Sequence, residues 1–153
     1  MTRPEAVSVA RSWKGTPYVL QARIKGAGCD CGTLLAEYLI EIAAARRADL
    51  EDLGVYSHDW FCHASSERYL LRLVRHARKT AETICRGTPD AQPGNIVLFR
   101  TVGSRFFNHG AIVTAWPLGM HAVHPQVTES NLLSHHLTGF HEMAIFDPFG
   151  SNQ

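Results

Sequence analysis

Gly28-Cys29-Asp30-Cys31-Gly32-Thr33-Leu34-Leu35-Ala36-Glu37-Tyr38-Leu39-Ile40-Glu41-Ile42 is the stretch on which the fold turns. Leu34, Leu35, Tyr38, Leu39 and Ile42 recur at helical spacing, so a buried central helix is expected, running to about Ala48. Cys31 stands at its start, after the glycine-rich approach Lys25-Gly26-Ala27-Gly28. Unpaired amides and the positive end of the helix dipole favour a thiolate at such a place. The same amides could stabilise an oxyanion formed when that thiolate attacks a carbonyl.

Upstream, Thr2 is a capping residue with Pro4 in the first turn, and Ala6, Val9, Ala10 and Trp13 supply an apolar helix face. Lys14-Gly15-Thr16-Pro17-Tyr18 ends that helix, because glycine terminates helices and the residue before proline avoids the helical region. Downstream, residues 49 to 64 carry Tyr56, Trp60 and Phe61 without periodicity and read as an aromatic-anchored loop. Ser65 or Ser66 is expected to open a third helix running to about Cys85. Leu70, Leu71, Leu73, Val74, Ala77 and Ala81 lie inside it, and Arg68, Arg72, Arg75, Arg78 and Lys79 outside. Pro93-Gly94-Asn95 is a turn before the apolar run Ile96-Val97-Leu98-Phe99, a buried strand. Ala111 to Trp116, Met120 to Val123, Gln126 to Glu129 and Glu142 to Phe146 follow as strands. The expected class is α+β, helices first and an antiparallel meander after them.

The chain has 153 residues, 45% hydrophobic and 19% charged, which suits a single domain over 1–153. Lys plus Arg is 15 and Asp plus Glu 14, a net charge of +1, so no polyelectrolyte attraction to nucleic acid is expected. The basic residues assigned to the third helix have no interleaved aromatic platforms, and a solvated surface explains them. No apolar run approaches the roughly 18 residues of a membrane span. Residues Met1 to Trp13 lack the basic start and apolar core of a signal peptide, so a cytoplasmic origin is expected.

Cys31 requires a base, and His109 in Asn108-His109-Gly110-Ala111-Ile112-Val113 stands at the mouth of a strand, able to face a helix N-terminus. The imidazole must be held in one tautomer by a third polar group. His121 lies across a turn and could face it; His124 and Gln126 compete for that role. Six of the nine histidines follow residue 90, where Arg100 and Arg105 are the remaining cations. His135, His136 and His141 are assigned no chemistry, and Trp13, Trp60 and Trp116 are core or cleft aromatics. A zinc site from Cys29, Cys31, Cys62-His63 and Cys85 is disfavoured, because zinc knuckles space both cysteine pairs by about two to four residues. Cys29 is a packed neighbour or a resolving thiol for Cys31.

Five segments in order are similar to the NlpC/P60 family of papain-like cysteine peptidases. They are Trp13-Lys14-Gly15-Thr16-Pro17-Tyr18, Gly28-Cys29-Asp30-Cys31-Gly32-Thr33-Leu34, Pro93-Gly94-Asn95-Ile96-Val97-Leu98-Phe99, His109-Gly110-Ala111-Ile112-Val113 and Met120-His121-Ala122. The resemblance spans about Arg11 to Pro148 and is nearest the phage-type branch, cell-wall peptidases encoded among tail genes. Tyr56-Ser57-His58-Asp59-Trp60 and Glu67-Arg68-Tyr69-Leu70 also resemble that branch.

The resemblance implies a papain-like NlpC/P60 fold with the nucleophile at a central helix N-terminus, packed on a C-terminal antiparallel sheet. It implies Cys31 as nucleophile, His109 as general base and His121 as the residue orienting it. It further implies Asp30 as the acidic residue that meets a free substrate amine, Tyr18 as a site tyrosine near the oxyanion, and Gly32 among the substrate-side residues. The implied substrate is the peptide stem of peptidoglycan, cut next to a D-isoglutamyl or diaminopimelyl residue, with no metal or organic cofactor. A phage tail-tip protein is the implied partner, and delivery in a phage or phage-like particle would bring the domain to the cell wall. Other papain-like amidases, acyltransferases, antibacterial effectors or a structural tail-tip role stand as alternatives. The chain departs from the family at Gly32-Thr33, where Ser-Gly is usual, which keeps the backbone amide and removes a hydroxyl. It departs again at Gly94-Asn95, where Gly-Asp is usual.

Overall fold

The computed structural model describes residues 1–53, 68–84, 91–101, 106–134 and 140–150. Helix α1 spans Arg3–Ser12 and begins as expected at Thr2, whose backbone N–H donates to Glu5 Oε2 over 2.7 Å in a capping box. Its buried Ala6, Val7 and Ala10 turn inward, and Trp13 follows at 2% exposure. A two-stranded hairpin, β1 (Arg23–Ile24) and β2 (Gly28–Cys29), occupies the glycine-rich approach. At Gly28 a side chain would lie 2.9 Å from both Ala22 Cβ and Val19 Cβ, so the hairpin closes only around glycine.

Helix α2 spans Cys31–Glu41 and is buried from Gly32 to Leu39. It stops seven residues short of the expected end at Ala48, because Ala43 takes a left-handed φ of 61° and turns the chain. The turn brings α3 (Arg47–Leu50) back along α2, where Arg47 Nη2 meets Glu37 Oε2 at 2.7 Å and Leu50 enters the core. Local alanine propensity favours continuing the helix; a buried carboxylate needing a cation and an apolar side chain needing cover favour the turn.

The expected third helix is corrected over its second half. Helix α4 spans Arg68–Leu73, a 3-10 turn covers Val74–His76, and the chain then enters strand β3 (Arg78–Ile84). Leu70, Leu73 and Val74 are buried as expected. Beyond Ala77 the backbone groups find partners in the last strand of the chain, with Arg78 opposite Asp147 and Ile84 opposite Glu142. Of the loop expected over residues 49 to 64, Asp49 and Leu50 belong to α3 and residues 54 to 64 lie outside the described residues, as do Ser65, Ser66, Cys85, His135 and His136, so the four-ligand zinc reading falls partly outside them too.

Strands β4 (Ile96–Thr101), β5 (His109–Ala115), β6 (Leu118–Ala122) and β7 (Val127–Asn131) form the expected antiparallel meander. The meander does not continue to the end. Strand β8 (Phe140–Asp147) crosses back and inserts between β3 and β4, giving the order β3-β8-β4-β5-β6-β7. Side chains alternate across this sheet. Ile96, Leu98, Ile112, Met120, Ala122, Ala144 and Phe146 join α1, α2 and α4 in one core. Val97, Phe99, Ala111, Val113, Met143 and Ile145 form a second core on the opposite face. Burial on both faces is why residues 96 to 99 read as an unbroken apolar run.

Candidate active site

Asp30 fixes where α2 begins. Its Oδ1 accepts from the Thr33 amide at 2.9 Å, and its own backbone N–H donates to Thr33 Oγ1 at 2.8 Å. Its Oδ2 accepts from the Gln21 amide at 2.7 Å, which ties the loop before β1 to the helix start. Gln21 holds a φ of 64°, a conformation few side chains adopt freely. The carboxylate is 2% exposed, with both oxygens on backbone amides.

Cys31 follows as the first helical residue, partly buried, with the amides of Gly110, Gly32 and Cys31 itself donating toward its sulfur. The Gly110 amide belongs to β5, immediately after His109, so the helix start and the strand mouth meet at this sulfur. The expected lowering of the thiol is not what the surroundings produce. Burial first, then the negative charge of Asp30, push Cys31 up to about 12, and the three amides only partly oppose them. Cys29 is fully buried in the helix-side core and pushed to about 12 by burial and Asp30, which fits a packed neighbour. Both are free thiols.

His109 opens β5, opposite Phe99. Burial first, and then the neighbouring His121, pull its imidazole down to about 3. His109 Nε2 lies 2.9 Å from His121 Nδ1, and the ring centroids are 5.2 Å apart in an edge-on arrangement. His121 alternates on β6 with Met120 and Ala122, which belong to the helix-side core, and so faces away from the helices. It is 2% exposed. Its Nε2 lies 2.7 Å from Ser130 Oγ on β7. Ser130 escaped the sequence reading, although Thr128 and Ser130 put two hydroxyls on alternate positions of one strand.

Tyr18 is partly buried beside this point. Burial raises its hydroxyl, and the charges of Cys31, Asp30 and Cys29 raise it further, which places the phenol in their electrostatic reach. Its ring packs on His124 with centroids 4.2 Å apart. His124 is exposed, and Gln126 forms a single bridge with Pro17. The structure therefore brings Tyr18, Asp30 and Cys31 together, sets Gly110, the residue after His109, at the Cys31 sulfur, and places His121 against His109 and His124 against Tyr18. Among the described residues no group of three or more His, Cys, Asp or Glu side chains is arranged to hold a metal ion, and no helix is long and apolar enough to cross a membrane.

No protein-family model and no curated protein matches the sequence. Solved structures match the backbone. The NlpC/p60 domain of the peptidoglycan hydrolase SagA superposes with a TM-score of 0.59 at 15% identity, covering 94% of this chain and 97% of that one. The chain has the NlpC/P60 fold. NlpC2 from Trichomonas vaginalis matches with a TM-score of 0.61 at 13% identity, over 94% of this chain. A Staphylococcus aureus protein described as similar to lipoprotein, NLP/P60 family, matches with a TM-score of 0.56 at 13% identity, over 91% of this chain. The chain spans 44% and 39% of those two proteins respectively. The α+β class expected from the residues and the papain-like NlpC/P60 architecture implied by the resemblance are both found, with α2 and its leading cysteine against the antiparallel sheet.

Proposed function

We propose that this chain is a cysteine peptidase that hydrolyses an amide bond in the peptide stem of peptidoglycan. The observation that carries the reading is the meeting of the Cys31 sulfur with the strand mouth at His109-Gly110, backed by the 2.9 Å contact between His109 and His121. Cys31 is the nucleophile, His109 the base that takes its proton, and His121 the group that orients His109. Attack on the carbonyl gives a tetrahedral oxyanion at the start of α2, where the Cys31 and Gly32 amides point. His109 returns the proton to the leaving amine, a thioester remains, and water attacks it to release the acid and restore the thiol.

Tyr18, Asp30 and Gly32 line the substrate side. Asp30, its oxygens held by backbone amides, acts through its charge and not by contact, and that field suits a stem peptide with a free amine, which favours the bond between D-glutamate and diaminopimelate. Delivery in a phage or phage-like particle, with a tail-tip protein as partner, is the biological setting the sequence resemblance supports. The single domain over 1–153 carries the whole catalytic constellation.

The test is incubation of purified protein with muropeptides and mass spectrometry of the products, alongside Cys31→Ala. New peptide ends that vanish in Cys31→Ala support the reading and name the bond. Intact muropeptides, with the Cys31 thiol confirmed reduced, overturn it.

A further inference from the structure

A hydrogen bond between two imidazole nitrogens carries one proton, so the His109–His121 contact has a direction. If His109 Nε2 donates to His121 Nδ1, the Nδ1 of His109 is unprotonated and able to take a proton from a thiol. If His121 Nδ1 donates instead, His109 carries its proton on Nδ1 and cannot act as a base. The geometry between the rings, 2.9 Å from nitrogen to nitrogen, is the same in both cases. The hydroxyl on the far side of His121 decides between them: accepting the Nε2–H there selects the first case, and donating to an unprotonated Nε2 selects the second.

That far side is Ser130. On β7 it stands opposite Gly119, two residues before His121 on the same face of the sheet, so its hydroxyl reaches His121 diagonally across the strand pair. The Oγ···Nε2 distance of 2.7 Å is a close hydrogen bond, and the ring between the two contacts is 2% exposed. A neutral His121 that donates from Nε2 to Ser130 has its Nδ1 unprotonated, ready to accept from His109. We propose that Ser130 is a positioning residue: its hydroxyl oxygen accepts the Nε2–H of His121, which holds His121 and then His109 in the tautomer that leaves His109 Nδ1 able to deprotonate Cys31. The proton balance is local. The thiol proton moves to His109 Nδ1, leaving thiolate and imidazolium, and the two bonds behind it keep their direction throughout. The inference rests on His109 being the base, and it assigns a fourth member, through two hydrogen bonds, to that site.

The experiment reads tautomers directly and turnover separately. In protein labelled with 15N-histidine, pyridine-like resonances are expected at Nδ1 of both His109 and His121, and pyrrole-like resonances at both Nε2 atoms. In Ser130→Ala the two histidines are expected to lose this uniform pattern, with His109 sampling the Nδ1–H form, and in Ser130→Thr the wild-type pattern returns. On the muropeptide cleaved by the wild type, Ser130→Ala is expected to lower kcat about tenfold to a hundredfold with KM within about twofold, and Ser130→Thr to recover most of it. Wild-type spectra with Nδ1–H on His109, or a Ser130→Ala variant whose tautomers match the wild type, overturn the proposal. If the wild type cleaves no muropeptide the peptidase reading fails, while the resonances still decide what Ser130 does to the two rings.

Discussion

Leu35 Cδ1 closes on Gly110 so tightly that a methyl group in place of the glycine hydrogen would lie 2.6 Å from it, with Leu98 Cδ2 at 3.2 Å. Leu35 is one helical turn beyond Cys31, and Gly110 supplies an amide to the Cys31 sulfur. One close approach thus seats α2 on β5 and sets the depth of Cys31. Gly110→Ala obliges the fully buried Leu35 and Leu98 side chains to repack; overpacking of this kind costs about 1–3 kcal/mol. Denaturant titration should show that loss, and turnover should fall beyond what the unfolded fraction explains. A variant with wild-type stability and turnover would show that α2 adapts freely.

The charge state of the resting site gives a second prediction. A thiol raised to about 12 is protonated through neutral pH, and an imidazole lowered to about 3 is unprotonated there. Between about pH 5 and 9 both groups are therefore neutral at rest, and on the proposed mechanism thiolate and imidazolium form together as substrate is attacked. Ultraviolet thiolate absorbance, measured as the difference between wild type and Cys31→Ala, should show no step near pH 7 and a rise only at strongly alkaline pH. A step at neutral or acidic pH would mean a preformed ion pair.

Asp30 tests the cause of that shift. Its negative charge raises Cys31, second only to burial. Asp30→Asn keeps an oxygen for the Thr33 amide and removes the charge, so the Cys31 thiol should titrate lower than in the wild type. The substituted amide nitrogen cannot accept from the Gln21 amide, which Oδ2 now does at 2.7 Å. Stability should drop by about 1 kcal/mol for the lost bond. Paired alkylation-rate profiles against pH check the first effect and thermal unfolding the second; an unmoved or raised thiol pKa refutes the electrostatic assignment.

How much of this was legible in the sequence depends on how far each feature reaches along the chain. Helix α1, the start of α2 and the strands from Ile96 to Asn131 follow from capping residues, periodicity and turns, all local signals. The end of α2 did not follow, because the turn at Ala43 satisfies Glu37, a residue six positions back whose need for Arg47 is invisible in helix propensity. Strand β3 reads as helix in the sequence because Ala77 and Ala81 continue the spacing of Leu70, Leu73 and Val74, while its partner, β8, lies more than fifty residues away. Cys31, His109 and His121 stand out in the sequence as an ordered set through the resemblance, and the fold brings the two histidines within 2.9 Å. Ser130 was missed because a lone serine on a strand carries no signal until the register places it behind His121.

The two candidate orienting histidines can be separated by substitution. His121 contacts His109 at 2.9 Å, whereas His124 is exposed and packs on Tyr18 with centroids 4.2 Å apart. His121→Ala should lower kcat by about 10²-fold through loss of the imidazole's orientation. His124→Ala should act through Tyr18 and change KM more than kcat, with a loss under about tenfold. The reverse ranking in steady-state kinetics would transfer the orienting role to His124.

Glu37 predicts how the fold responds to acid. It is 5% exposed inside α2; Arg23 Nε donates to its Oε1 at 2.7 Å, and Arg47 Nη2 to its Oε2 at 2.7 Å. Burial resists ionisation, but the hydrogen bonds from Arg47 and Arg23 and their charges outweigh it, so the carboxyl lies below its ordinary value of 4.5. A folded-state pKa lowered in this way contributes stability that is fully present above the unfolded value and lost as pH falls through the folded one. The Arg47 side chain is 59% exposed, so solvent screens its share. Glu37→Gln should therefore cost about 1–3 kcal/mol at pH 7, from two cations left without a charged partner. The gap between wild type and variant should close as pH is lowered from about 5 to 2, where the wild-type carboxyl takes up its proton. Denaturant midpoints measured across that range check both statements, and a gap that persists unchanged at the acid end would assign the loss to packing instead of charge.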